Sequence, residues 1–236
     1  MKNNKNIYDD YIKTKGWRIR FQHSVADGRL FEYEFSVPLS DASLKRVIDV
    51  GFGAGTLMSW ARNRGIEVCG IEVQDTLVQE ARDLGYVIHD RLVDIAKGSL
   101  DMAVCMDVVE HMTVDEMRDA FLEFRRILRP GGWLVIRTPN CQSPAGLIDQ
   151  FGDATHRQML SGPILSQELR RFGFDVEVAR GAMNRAAFIP GGRAFVRRVL
   201  KNVLAKPARS IVRLGLGLGS CILEPSILVV SRRSQG

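Results

Sequence analysis

The sequence is poor in the residues that staple or ligate. In 236 residues there are four cysteines and four histidines, and no Cys-x-x-Cys pair. Cys69, Cys105, Cys141 and Cys221 lie far apart. That spacing argues against a disulfide or zinc framework and fits reduced structural thiols in a cytosolic protein. Long apolar runs are missing too. The longest near the C-terminus, Leu214 to Leu223, is interrupted by glycine and falls well short of the roughly 20 residues of a spanning helix. The first ten residues are polar and lysine-rich with no apolar stretch behind them, so no secretory signal is expected. Repeats and low-complexity tracts are absent. What remains is ordinary globular composition, 45% hydrophobic and 25% charged, enough for one domain with a sizeable core.

The net charge of +6 is unevenly spread. Residues 1–156 carry 19 basic and 23 acidic side chains, whereas residues 157–236 carry 14 basic and only 4 acidic. The C-terminal part therefore faces an anionic partner or solvent.

Strand and helix patterns alternate from about residue 41. Arg46–Val50, Val68–Glu72, Tyr86–Ile88, Met102–Met106, Trp133–Arg137, Phe174–Val178 and Ile227–Val230 read as strands. Helices are expected from Thr56, stopped at Gly65, and from Asp75, stopped at Gly85. A third starts at the Thr113/Glu116 capping box, with Val114, Met117, Phe121, Phe124 and Leu128 on one face. Pro130-Gly131-Gly132 predicts a turn, and Ser166 a further helix start. Such alternation predicts a doubly wound α/β domain over residues 41–236, with a mostly parallel sheet and the ligand at the carboxyl ends of the strands. Residues 1–40, rich in aromatics, are expected to form a lid over that ligand.

The chemistry concentrates in Asp49-Val50-Gly51-Phe52-Gly53-Ala54-Gly55, at the end of a strand and the start of a helix. Glycines there let the backbone turn and approach a ligand, and the helix start offers N–H groups. The third glycine falls one residue earlier than in a dinucleotide-binding GxGxxG, which disfavours an NAD-dependent reductase. Glu72, ending the second strand, can accept both hydroxyls of a ribose, and Asp94 a proton from an adenine amino group. Three carboxylates at successive strand ends suit an ammonium, a ribose and an adenine, and would repel a pyrophosphate.

Val47 to Leu57 with Glu72 and Asp94, then Asp107-Val108-Val109-Glu110-His111, then Ile127-Leu128-Arg129-Pro130-Gly131-Gly132, resembles the class I S-adenosylmethionine-dependent methyltransferases. The likeness runs from about Lys45 to Val178 and leans toward glycan and small-molecule O-methyltransferases. It implies a Rossmann-like fold with an antiparallel last strand and S-adenosyl-L-methionine as cofactor. Asp49, Gly51, Gly53 and Gly55 would hold the methionine part, Glu72 the ribose, and Asp94 with Ile95 the adenine. Asp107 would line the pocket behind the sulfonium.

Asp153-Ala154-Thr155-His156, after the Pro139-Asn140 turn, resembles an element of methyltransferases from surface-polysaccharide loci. A hydroxyl is a poor nucleophile until its proton is taken, and a histidine can take it, a contribution of about 10²–10⁴-fold. His156 is thus the expected general base, with Asp153 orienting it. No metal is expected: Asp149, Asp153 and His156 would share a helical face, but Gly152 interrupts it.

Residues 181–225 form an insertion before the last strand, helical and amphipathic from Arg193 to Ala205 and basic through Arg213. Its apolar face can pack on the sheet or a partner subunit, or the helix can lie on an anionic membrane surface. Nucleic acid is not expected, for lack of an aromatic platform. The resulting expectation is a cytoplasmic enzyme, associated with the inner membrane face if the helix binds there, that O-methylates a sugar hydroxyl in bacterial surface polysaccharide (lipopolysaccharide or related glycan). The alternatives are O-methylation of a quinone or other small molecule, and a non-catalytic cofactor-binding module at a membrane surface.

Overall fold

Runs of β-branched and apolar residues with both faces buried form the centre of the molecule. The computed structural model describes residues 20–189 and 222–235. The proposed amphipathic segment 193–213 and residues 1–19 lie outside them. Seven strands form one sheet: β1 (Arg46–Val50), β2 (Glu67–Ile71), β3 (Val87–Ile88), β4 (Leu100–Met106), β5 (Leu128–Pro139), β6 (Phe174–Gly181) and β7 (Ser226–Arg233). Their order is β3-β2-β1-β4-β5-β7-β6, and all pairings are parallel except those of β7. This is the doubly wound, Rossmann-like sheet with an antiparallel last strand that the resemblance implies.

The sheet buries alternate residues on opposite faces. Ala103 and Cys105 of β4 join one core, and Met102 and Val104 the other. The first core is covered by α4 (Val114–Ile127) and α6 (Gly162–Arg171), through Phe121, Phe124, Leu165 and Leu169. The second is covered by α1 (Val25–Glu34), α2 (Thr56–Asn63) and α3 (Asp75–Asp83), through Phe31, Trp60 and Leu77. α4 begins where its sequence predicts. Thr113 Oγ1 accepts from the Glu116 N–H, and the Glu116 carboxylate accepts from the Thr113 N–H. Strand order grows outward from β1 to β3, then returns across β1 to β4. The crevice at this reversal is where α/β sheets bind ligands.

Three local expectations change. Pro130-Gly131-Gly132 is a bulge within β5 rather than a turn before it: Leu128 pairs with Leu100, while the next pair is Trp133 with Met102. Gly131 takes φ 72° there. α6 starts at Gly162, not Ser166, because Ser161 caps it by accepting from the Ile164 N–H. α5 (Pro144–Phe151) ends at Gly152, so Asp149, Asp153 and His156 do not share a helical face. Among the described residues no helix is long and apolar enough to cross a membrane.

Candidate active site

The glycine loop leaves β1 in a conformation only glycine adopts cheaply. Gly51, Gly53 and Gly55 have φ of 72°, 50° and 66°. A Cβ on Gly51 would lie 2.4 Å from Val108 Cγ2, and one on Gly55 2.2 Å from the Phe21 ring. Gly55 starts α2 without a side-chain cap, so the helix N-terminus is presented by backbone alone. The Gly53 N–H donates to Glu72 Oε2 at 2.9 Å. Glu72 Oε1 accepts from the Val73 and Gln74 N–H groups at 2.7 and 3.2 Å. Beneath the loop Asp49 is 4% exposed. Burial, and secondarily the Glu72 charge, pushes its carboxyl up to about 8.

Across the crevice, β4 runs into Asp107, which is held at φ 58°. Its carboxylate is gripped by both ends of the Arg137 guanidinium, Nε to Oδ1 at 3.0 Å and Nη2 to Oδ2. The next turn, Val109–His111, buries Glu110 at 1% exposure. Thr138 Oγ1 donates to Glu110 Oε2 at 3.1 Å, while Oε1 has no hydrogen-bond partner among the described residues. Burial, reinforced by the Asp107 charge, pushes the Glu110 carboxyl up to about 8. The Glu110 carbonyl accepts from the Arg157 and Gln158 N–H groups at 2.7 and 3.0 Å. These bonds pin the loop after α5 to this turn and bring His156 beside His111, ring centroids 4.7 Å apart.

The cleft encloses about 1340 Å³ and is walled on its third side by the N-terminal segment and the stretch after β6. Phe21 N–H donates to the Ala54 carbonyl at 2.7 Å, and Asp27, Leu30 and Phe31 of α1 face the cleft. Arg185 pairs with Asp27, and Arg180 with Glu34 at 2.6 Å. The described part of the N-terminal segment thus lies against the glycine loop.

Of the residues singled out in the sequence, Asp49, Gly51, Gly53, Glu72 and Asp107 line the cleft, with Gly55 directly behind at the start of α2. Asp94 and Ile95 do not. Arg91 draws the exposed Asp94 carboxylate to itself at 3.0 Å, and the Ile95 side chain packs into the core. Leu92, earlier in the same turn, faces the cleft instead. His156 is also displaced from its expected place. Its side chain is 8% exposed and sits behind His111, the imidazole that lines the cleft. Asp153 does not orient it by a hydrogen bond: Oδ2 is 4.0 Å from His156 Nε2, while Oδ1 accepts from the Thr155 N–H and hydroxyl at 3.0 and 2.5 Å. Glu110 and His111 stand together in the sequence, but His156, whose ring meets that of His111, lies 45 positions on and only the fold joins them.

Residues 20–178 match the family model described as a methyltransferase domain. Malonyl-[acyl-carrier protein] O-methyltransferase of Salmonella typhimurium is 29% identical over 133 residues, 55% of this chain and 53% of that protein. Ubiquinone biosynthesis O-methyltransferase of Pseudomonas aeruginosa is 26% identical over 153 residues, 61% of this chain and 63% of that protein. The matches thus span between half and two thirds of these relatives' length. A SAM-dependent methyltransferase structure from Archaeoglobus fulgidus superposes with a TM-score of 0.61 at 18% identity, covering 87% of this chain and 94% of that one.

Proposed function

The chain belongs to the methyltransferase-domain family, of class I fold and with S-adenosylmethionine as cofactor, and from that premise we propose that it methylates a hydroxyl oxygen of a sugar acceptor in surface-glycan assembly. The observation that carries this reading is the continuity of the cleft. Its one end holds the buried Asp49 and the backbone-bound Glu72 beside the glycine loop. Its other end, among the described residues, is a polar wall of His111, Glu116, Arg137 and Arg157 with Met106 and Met112. A polar wall suits a polyhydroxylated acceptor; a quinone ring calls for an aromatic slot.

In this reading Asp49 takes the ammonium of the methionine part, Glu72 takes the ribose hydroxyls, and Leu92 supplies an apolar face for the adenine. Gly51, Gly53 and Gly55 let the backbone come close. Methyl transfer is an in-line displacement: the acceptor oxygen bonds the methyl carbon, the carbon–sulfur bond breaks, and neutral S-adenosylhomocysteine leaves. The cofactor carries the activated leaving group, so the protein's task is to position the acceptor and ease the loss of its proton. In this reading His111, backed by His156, stands in the wall where the acceptor hydroxyl lies.

The ubiquinone-biosynthesis O-methyltransferase among the relatives favours a second reading, a phenolic hydroxyl on a small ring. Transfer of a labelled methyl group from S-adenosylmethionine to nucleotide-linked and lipid-linked sugars, beside catechols, separates the two. We expect label on the sugars. Label on catechols alone would replace the acceptor, and cofactor binding with no transfer to either would favour a binding module.

A further inference from the structure

We propose that Glu110, His111 and His156 form a divalent transition-metal site in the wall of the cleft. Each offers one ligand atom, and the three atoms lie within 4.8 Å of one another. Ligands held about 2.0–2.2 Å from a common ion sit roughly 3–4 Å apart, so small side-chain rotations complete the set.

The surrounding hydrogen bonds prepare both imidazoles for ligation. The Gln150 carbonyl, which can only accept, lies 3.0 Å from His156 Nδ1. Thr155 Oγ1 gives its proton to Asp153 and therefore accepts from His111 Nδ1 at 2.8 Å. Both rings then carry the proton on Nδ1 and the lone pair on Nε2, the arrangement by which oxygen partners orient metal-bound histidines.

Glu110 supplies the second, independent observation. Its Oε1 is buried and has no hydrogen-bond partner among the described residues, an expensive state for a carboxylate oxygen. A cation at the cluster would satisfy it. Two nitrogens and one carboxylate oxygen suit Zn²⁺, Mn²⁺, Fe²⁺ or Co²⁺ better than Ca²⁺ or Mg²⁺, which prefer all-oxygen shells. With three protein ligands, one of them lining the cleft, a coordination position remains for the acceptor.

The role of the ion rests on the methyltransferase reading. An acceptor hydroxyl bound to the cation loses its proton more readily. That proton passes to solvent, and the resulting oxygen bonds the methyl carbon as the carbon–sulfur bond breaks.

The test uses the full chain, stripped of metal by chelation and titrated with Co²⁺ while its ligand-field absorption is followed. We expect saturation at one equivalent. We expect the band to be lost in Glu110→Gln, His111→Asn and His156→Asn, and affinity to fall about 10–100-fold in Thr155→Val. No stoichiometric binding by the wild-type chain would overturn the site without reference to any variant. A band that persists in all three ligand variants would overturn the assignment. Binding of S-adenosylhomocysteine, measured on every sample, reports folding and keeps the two ideas apart. Its retention without metal binding sinks the metal site alone, and its loss from the metal-loaded wild type sinks the methyltransferase reading.

Discussion

Asp49 and Glu110 stand on opposite sides of one cleft, both buried and both with carboxyls pushed up to about 8. Their second causes differ, the Glu72 charge for Asp49 and the Asp107 charge for Glu110. Their surroundings differ more. Asp49 lines the cleft beside the glycine loop. Glu110 lies beneath the opposite wall, hydrogen-bonded to Thr138 and flanked by two imidazoles. A shared carboxyl response to burial therefore stands in two settings: a backbone glycine loop beside Asp49, and two imidazoles of the same chain beside Glu110.

The two halves meet at Gly51 and Val108, which makes that contact the sharpest place to break the comparison. Gly51→Ala should cost about 2–4 kcal/mol in urea unfolding, from the positive φ and the clash with Val108 together. Adding Val108→Ala should recover the clash but not the backbone term. A neutral Gly51→Ala would mean the halves do not touch as described.

The next effect in size isolates Asp49 through pH. The unfolded carboxyl titrates near 3.8, while the folded one keeps its proton up to about 8. The folded state thus binds the extra proton between these values. Stability from this group is full below about pH 4, declines by up to about 1.4 kcal/mol per pH unit as pH rises, and is gone above about 8. Asp49→Asn should remove that slope when unfolding free energies are compared at pH 5 and 7. Parallel declines in the two proteins would contradict the burial argument. The smallest effect tests the acceptor side alone: Thr113→Ala, which removes the α4 cap, should lower stability by about 1 kcal/mol and leave cofactor affinity unchanged. A change in cofactor affinity would show that the two halves are coupled through α4.

Local rules made the glycine-loop side of the cleft readable in advance. β1 is a continuous apolar run, the loop declares itself by its glycines, and Glu72 falls at the end of the second run; each depends on neighbours a few positions away. The opposite wall escaped because its geometry is tertiary. His156 meets His111 only because Arg157 and Gln158 donate to the Glu110 carbonyl. Asp94 turned outward because Arg91 competes for it, and Leu92 shows no pattern that would mark it as a cleft residue. Likewise Pro130-Gly131-Gly132 carries turn residues, yet β4 pairs with β5 on both sides of it and makes it a bulge. Only the bulge was decided by a neighbouring strand; Asp94 and His156 were decided by partners that residue type alone does not mark.

The central claim is that the glycine-loop half holds S-adenosylmethionine. Calorimetric titration with S-adenosylhomocysteine tests it most directly, comparing the wild type with Asp49→Ala, Glu72→Ala and Glu110→Gln. We expect saturable wild-type binding. Each of the first two changes should weaken it by about 2–3 kcal/mol, roughly 30–150-fold, through loss of a charge-assisted contact, while Glu110→Gln should change it little. Absence of wild-type binding, or binding indifferent to Asp49 and Glu72, would contradict the account.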